Sequence, residues 1–206
     1  MDKRVWRQLA AYEDFRGYLQ ALNGTVLAGF AANLAVDADV HMVERHFRET
    51  WKGYVAEIGS WHGDAFSKAF RLLAELPDLP ARSFLDRGEP HPVWLAGAAQ
   101  THEEPPLHAE ATLDAWRAAF LSALPGKPER QEAAHVLDRL IASGRGEGPD
   151  AARLRETAER LFRRAKHPFG RVLAHLACVA SDLMDMRGEL CVRRVLDRVA
   201  KVEGVA

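Results

Sequence analysis

Nine histidines and 29 carboxylates give this chain ample ligand and acid–base groups. Their spacing decides what chemistry they could do. His41 and His46 sit five apart in His-Met-Val-Glu-Arg-His-Phe. On a helix they diverge by roughly 140°, so they cannot share a metal as i,i+4 histidines do. His41 and Glu44 do share a face. With His62 or Asp64 as a third ligand they would make a helical metalloenzyme or metal sensor, one of two alternative readings of this chain; the other is a soluble regulatory helical protein. The plainer reading is a chance pair on an ordinary helix face. His102, Glu103, Glu104 and His108 are also ligand types, but their spacing matches no site, and a solvated acidic loop accounts for them. Asp64, in Trp61-His62-Gly63-Asp64, is explained as a helix cap.

Nucleophilic and nucleotide chemistry lack their signatures. The chain has no Gly-x-Ser-x-Gly elbow, phosphate-binding loop, Cys-x-x-Cys pair or dinucleotide fingerprint. Ser143-Gly144-Arg145-Gly146 follows a predicted helix, not a strand, and lacks a Lys-Ser/Thr ending. Asp182 and Asp185 lie three apart on the last predicted helix. A di-metal bundle would need a Glu-x-x-His pair beside them, and no histidine stands at that offset from Glu189. No catalytic residue, metal site or cofactor is therefore expected. Arg153, Arg155, Arg160, Arg163, Arg164 and Lys166 could hold phosphates, but Phe162 is their sole aromatic neighbour. Base stacking has little support, and no nucleic-acid partner is expected.

The elements that would position these residues are helical. There are 34 Ala and 24 Leu against 2 Ile and 5 Thr, a balance that favours helix over strand. Net charge is −1, which gives no general attraction to polyanions. Residues 1–150 carry 16 basic and 22 acidic groups, and residues 151–206 carry 12 and 7. The basic excess reads as a solvated helix face or as a partner-facing surface. Cys178 and Cys191 are thirteen apart in one predicted helix, roughly 20 Å, beyond disulfide reach. This fits a reducing compartment. No 18-residue apolar run and no signal-peptide core occur, so a cytoplasmic protein is expected, attached to membrane only through partners.

The periodicity predicts an all-α bundle of about eight helices. Helices are expected over 3–22, from Thr25 to Leu34, over 40–58 after a cap at Asp37 or Asp39, and near 64–76. Others follow near 109–124, 129–142 and 150–166, with a long helix after His167-Pro168. Gly59 is read as the end of the 40–58 helix. A Pro-rich linker after about 86 divides an N-terminal unit, 1–100, from a C-terminal unit, 109–206, and the two read as related helical units. Gly144–Pro149 reads as a flexible loop. The last helix carries the stripe Val172, Leu176, Val179, Leu183, Met186, Leu190, alternating four and three. Asp182, Asp185, Arg187, Glu189, Arg193 and Arg194 are placed on its other faces. Arg187 is five from Asp182, and Asp185 with Glu189 is repulsive, so these charges favour partners outside their own helix.

Two stretches resemble the family of C/d subunits of rotary V/A-type ATPases. The first runs from Tyr12-Glu13-Asp14-Phe15 to Leu19-Gln20-Ala21-Leu22-Asn23-Gly24-Thr25. It is similar to that family's early helix and its "Leu-x-x-Thr" junction. The second, Phe169-Gly170-Arg171-Val172-Leu173-Ala174-His175-Leu176 then Ala180-Ser181-Asp182-Leu183-Met184-Asp185-Met186-Arg187, resembles the family's closing helix. There His175 stands where the family usually has Tyr, Asp182 takes its acidic position, Asp185 the Asn position and Arg187 the Arg. The family has three related helical units and this chain has room for about two, so the resemblance is to a short, divergent bacterial relative. It implies a non-catalytic adaptor in ion transport, linking the central stalk to the membrane rotor ring. Stalk and ring proteins would be its partners. Asp182, Asp185, Arg187, Arg193 and Arg194, from the charge pattern of the last helix, are the candidates for polar packing or partner contact.

Overall fold

The computed structural model describes residues 3–80, 113–144 and 151–202, and every regular element among them is helical. The all-α reading holds. The α-helices are α1 Lys3–Leu9, α2 Phe15–Leu22, α3 Ala28–Ala31, α4 Val40–Ser60, α5 Ser67–Ala74, α6 Leu113–Ala123, α7 Lys127–Gly144, α8 Ala151–Arg164 and α9 Pro168–Val202. Short 3-10 turns at Asp64–Phe66 and Leu76–Asp78 flank α5. The Pro-rich stretch after 86 and residues 145–149 of the expected loop lie outside the described residues.

Two compact units form, Met1–Thr50 with Asp182–Ala206, and Trp51–Ser181. They do not follow chain order as the 1–100 and 109–206 division does, because the last helix returns its second half to the N-terminal residues. α4 and α9 each supply residues to both.

In the first unit the single helix expected over 3–22 is two. The break at residues 10–14 has a local cause. Asp14 adopts an extended backbone, and its side chain accepts a 2.7 Å hydrogen bond from the Gly17 amide. That is an N-cap, and it starts α2 afresh. The spacing of α2 then buries Phe15, Tyr18, Leu19 and Leu22. Thr25 accepts from the Leu27 amide and donates to the Leu22 carbonyl, joining α2 to α3. Asp39, the second of the two expected caps, receives the Met42 amide at 2.8 Å. The core is completed by Leu9, Leu27, Leu34, Val43 and Phe47 with Leu183, Met186 and Leu190 of α9.

The second unit is built around aromatics. Phe169, at the start of α9, meets Phe66, Phe70 and Phe120, and Phe120 stacks on Trp116 at 5.3 Å. Gly59 does not end α4, which runs on through Ser60. A Cβ there would come within 3.0 Å of Phe70, so the glycine permits close approach of two helices. The turn itself falls at Gly63, with φ +74°. The indoles of Trp51 and Trp116 donate to the Leu73 and Leu72 carbonyls at 2.9 and 2.8 Å. Two neighbouring carbonyls in the last turn of α5 thereby gain side-chain donors. Buried Asp78 just beyond is held by Lys52 at 2.7 Å.

Trp116→Phe keeps an aromatic ring but strands the buried Leu72 carbonyl, and is expected to cost about 1–3 kcal/mol. Trp116→Ala adds a cavity and is expected to cost about 3–5 kcal/mol. Urea unfolding measures both; near-equal losses for the two variants would show that the indole N–H carries the whole effect.

Candidate functional site

The partner residues expected from the sequence lie on the second half of α9, within the first unit. Arg193 differs most from expectation. It is not on an outer face but is 7 % exposed. Periodicity explains this, since Met186, Leu190, Arg193 and Asp197 continue the alternation of four and three. Two of the three guanidinium nitrogens have named acceptors. Nε donates to the Tyr12 carbonyl at 2.7 Å, one terminal nitrogen donates to the Glu189 carbonyl at 3.1 Å and to the Glu189 carboxylate, and the group lies 4.1 Å from the Tyr18 ring centroid. Tyr12 lies in the break between α1 and α2, so Arg193 supplies a donor where the helix no longer does.

Arg194 and Asp197 act alike on neighbouring backbone. Arg194 lies over the Phe15 ring at 3.8 Å and donates to the Val36 carbonyl at 2.6 Å, in the loop before α4. Asp197 accepts from the Phe15 amide at 3.4 Å, at the opening of α2. No motif singles out Asp197, yet the apolar stripe extended by two intervals reaches it. Arg187 pairs with Glu44 on α4 at 3.4 Å, and Glu44 also meets Arg48 at 3.9 Å. Asp182 is half-buried and engaged in an interaction of its own. Asp185 lines a cleft of about 320 Å³ with Trp6, Arg7, Ala10, Tyr18 and Glu189. Burial, then the Glu189 carboxylate, pushes the Tyr18 phenol well above its usual value; Arg193 opposes the shift and Asp185 adds to it. The structure thus gathers Arg187, Arg193 and Arg194 into internal contacts that tie α9 to the loops and helices beside it.

The other side of this half-helix is different in kind. Val192, Val195, Leu196 and Val199 are 56, 50, 57 and 45 % exposed. Their i, i+3, i+4, i+7 spacing puts them on one face, opposite Leu190 and Met186.

The groups offered for metal chemistry are spent or scattered. Among the described residues no cluster of three or more His, Cys, Asp or Glu could hold a metal ion. Glu44 is committed to two arginines. His62 Nδ1 donates to the Ile58 carbonyl at 2.9 Å while its ring packs on Phe70. His46 donates to the Phe30 carbonyl at 2.9 Å. His102, Glu103, Glu104 and His108 lie outside the described residues. A second cleft of about 500 Å³ is lined by Asp114, Arg117, Asp138, Ile141 and Ala142, with Arg117 and Asp138 paired at 2.7 Å. In the second unit Tyr54 Oη and His175 Nε2 are hydrogen-bonded at 2.7 Å, and burial lowers the His175 pKa. Burial raises the thiols of Cys178 and Cys191, both free. No helix among the described residues is long and apolar enough to cross a membrane.

In comparisons with protein-family models, curated proteins and solved structures, nothing matches this chain.

Arg193→Met keeps most of the stem volume but strands the Tyr12 carbonyl. A stability loss of about 2–4 kcal/mol is expected, with Arg193→Lys intermediate because an ammonium lacks the planar fork. Urea midpoints measure this, and an unchanged Arg193→Met would remove the guanidinium from its assigned role. His175 gives a pH test. Its folded pKa is depressed, so its contribution is full above the ordinary histidine value and is lost as pH falls through the lower folded value. The Tm gap between wild type and His175→Gln should therefore narrow from about pH 7.5 to about pH 5. A constant or widening gap would contradict it.

Proposed function

We propose that the protein is a non-catalytic helical adaptor, and that it serves a rotary ATPase of the V/A type between central stalk and membrane rotor ring. One observation supports the adaptor part most directly. The second half of α9 is wired on one face to backbone groups of the first unit through Arg193, Arg194 and Asp197, while its opposite face is apolar and exposed. A helix anchored in this way holds a fixed surface, which is what an adaptor needs and what a substrate pocket does not supply. The ATPase part rests on the resemblance of 12–25 and 169–187 to the C/d subunits of that class. In that reading the adaptor is peripheral to the membrane through its partner proteins and binds no cofactor. Arg187, Arg193 and Arg194 support the contact surface from within, and Asp182 and Asp185 lie nearer its edge.

The reading is tested by purifying the tagged full chain from its native host under mild conditions. Recovery with stalk and ring proteins of a rotary ATPase in fixed ratio is the expected result. Recovery with a different stable partner would retain the adaptor and discard the ATPase. Recovery alone, at native expression level, would overturn both.

A further inference from the structure

One end of the second unit gathers positive charge. Tyr54 of α4 pairs with His175 of α9, and about two turns further on the His62 ring meets Phe169. α4 and α9 therefore run antiparallel, and the end of α4 lies beside the start of α9. The last turn of α8 leads into His167 at the same end. The first turn of α7 is there too, since its Glu129 faces His167 at 3.5 Å. From these segments come Lys127, Arg130, Arg163, Arg164, Lys166 and Arg171, all exposed. Arg171 donates to the Ala165 carbonyl at 3.3 Å. The other five form no ion pair among the described residues. Nearby carboxylates do not offset them. Glu129 faces His167, Glu132 lies against Gly170, and Glu159 is half-buried, which leaves Glu57 and Asp64 exposed.

Trp61 stands in the turn after α4 at this end and is 68 % exposed. A lone exposed ring is ordinary. An exposed indole beside unpaired cations is the composition of a surface that enters a headgroup layer. There the ring sits at the interface while Lys and Arg meet anionic lipid. The net charge of the whole chain is −1, so the attraction is local to this end. Geometry chooses among polyanions. Nucleic acid asks for a track of cations with several stacking rings along it. Here the cations come from three separate helix ends grouped about one indole. A bilayer imposes no track and needs only a face of the right charge. Neither cleft described above includes any of these residues, so the surface is not a pocket for a small anion.

We infer that this end of the second unit, Trp61 with the six cations around it, docks on the surface of an anionic lipid bilayer. The contact is direct. It adds to any contact made through partner proteins and stands independently of the adaptor reading.

The test titrates the full chain with vesicles of phosphatidylcholine, alone or with about one-third phosphatidylglycerol, and reads binding by co-sedimentation. Arg163→Glu with Arg164→Glu is compared with Arg16→Glu with Arg45→Glu, exposed arginines of the first unit whose reversal changes net charge equally. All chains should keep the same helical circular dichroism, since these positions are exposed. Binding is expected only with phosphatidylglycerol, weakened at least about tenfold by the first pair and less than about twofold by the second. Trp61→Ala should weaken it several-fold. Brominated acyl chains should quench tryptophan fluorescence in wild type and much less in Trp61→Phe. No binding to the anionic vesicles, equal weakening by the two pairs, or undiminished quenching in Trp61→Phe each overturns the inference. So does tighter binding to duplex DNA than to the vesicles. The assay contains no partner protein, so its failure leaves the adaptor reading to its own test.

Discussion

A break in a helix has to be answered by donors and acceptors from elsewhere, and in the first unit α9 supplies them. Between α1 and α2 the backbone leaves the helical path, so the Tyr12 carbonyl and the Phe15 amide need partners. Arg193 reaches the first and Asp197 the second. Arg194 does the same for Val36 before α4. A buried backbone group left unpaired costs about as much as a lost hydrogen bond. Three residues within one and a half turns therefore join two irregular junctions to one helix. The apolar core of this unit is ordinary; its loops depend on these contacts.

An arginine at a buried stripe position is costly unless its geometry is nearly complete, because a guanidinium gives up water on burial. Arg193 meets that condition through two carbonyls, a carboxylate and the Tyr18 ring. The carboxylate belongs to Glu189, one turn earlier on the same helix, so part of the cage is local and is available as soon as α9 forms. The remaining contacts come from Tyr12 and Tyr18, more than 170 residues away in sequence. An apolar residue could fill the space but could not pair with the Tyr12 carbonyl. The charged residue thus ties the position of α9 to one register against residues 12–18, since a slip of one turn would withdraw the donors from both junctions.

Helix content, the long final helix and its apolar stripe are legible from spacing, because burial of one face imposes a period that side chains must follow. Leu176, Val179, Leu183, Met186 and Leu190 are all buried as that period requires. Arg193 defeats expectation for a chemical reason. Its charge argues for exposure, although the same period places residue 193 on the buried face. The split of 3–22 is hidden because Tyr12, Phe15 and Leu19 preserve helical spacing across the break, while the cap signal is a single Asp14 side chain. The roles of Gly59, Trp51 and Trp116 depend on atoms far away in sequence, and no local pattern announces them. The compact units are equally beyond local reading. A linker is visible as composition, but a helix that returns to the N-terminal residues is visible only as contacts.

The stripe of Val192, Val195, Leu196 and Val199 is legible as letters, yet periodicity alone does not separate it from a core face. Its significance comes from comparison with the buried one. The buried apolar run ends at Leu190, and over the following turns the inner face carries Arg193 and Asp197, each with a backbone partner in the fold. The exposed face has no such interruption between Val192 and Val199 and no assigned task in the core. Scattered exposed hydrophobic residues are normal on any protein surface. Four at helical spacing, on a helix whose polar residues have already been drawn to the opposite side, form a continuous apolar surface. The same contacts that hold α9 against the N-terminal residues thus set the direction in which that surface points.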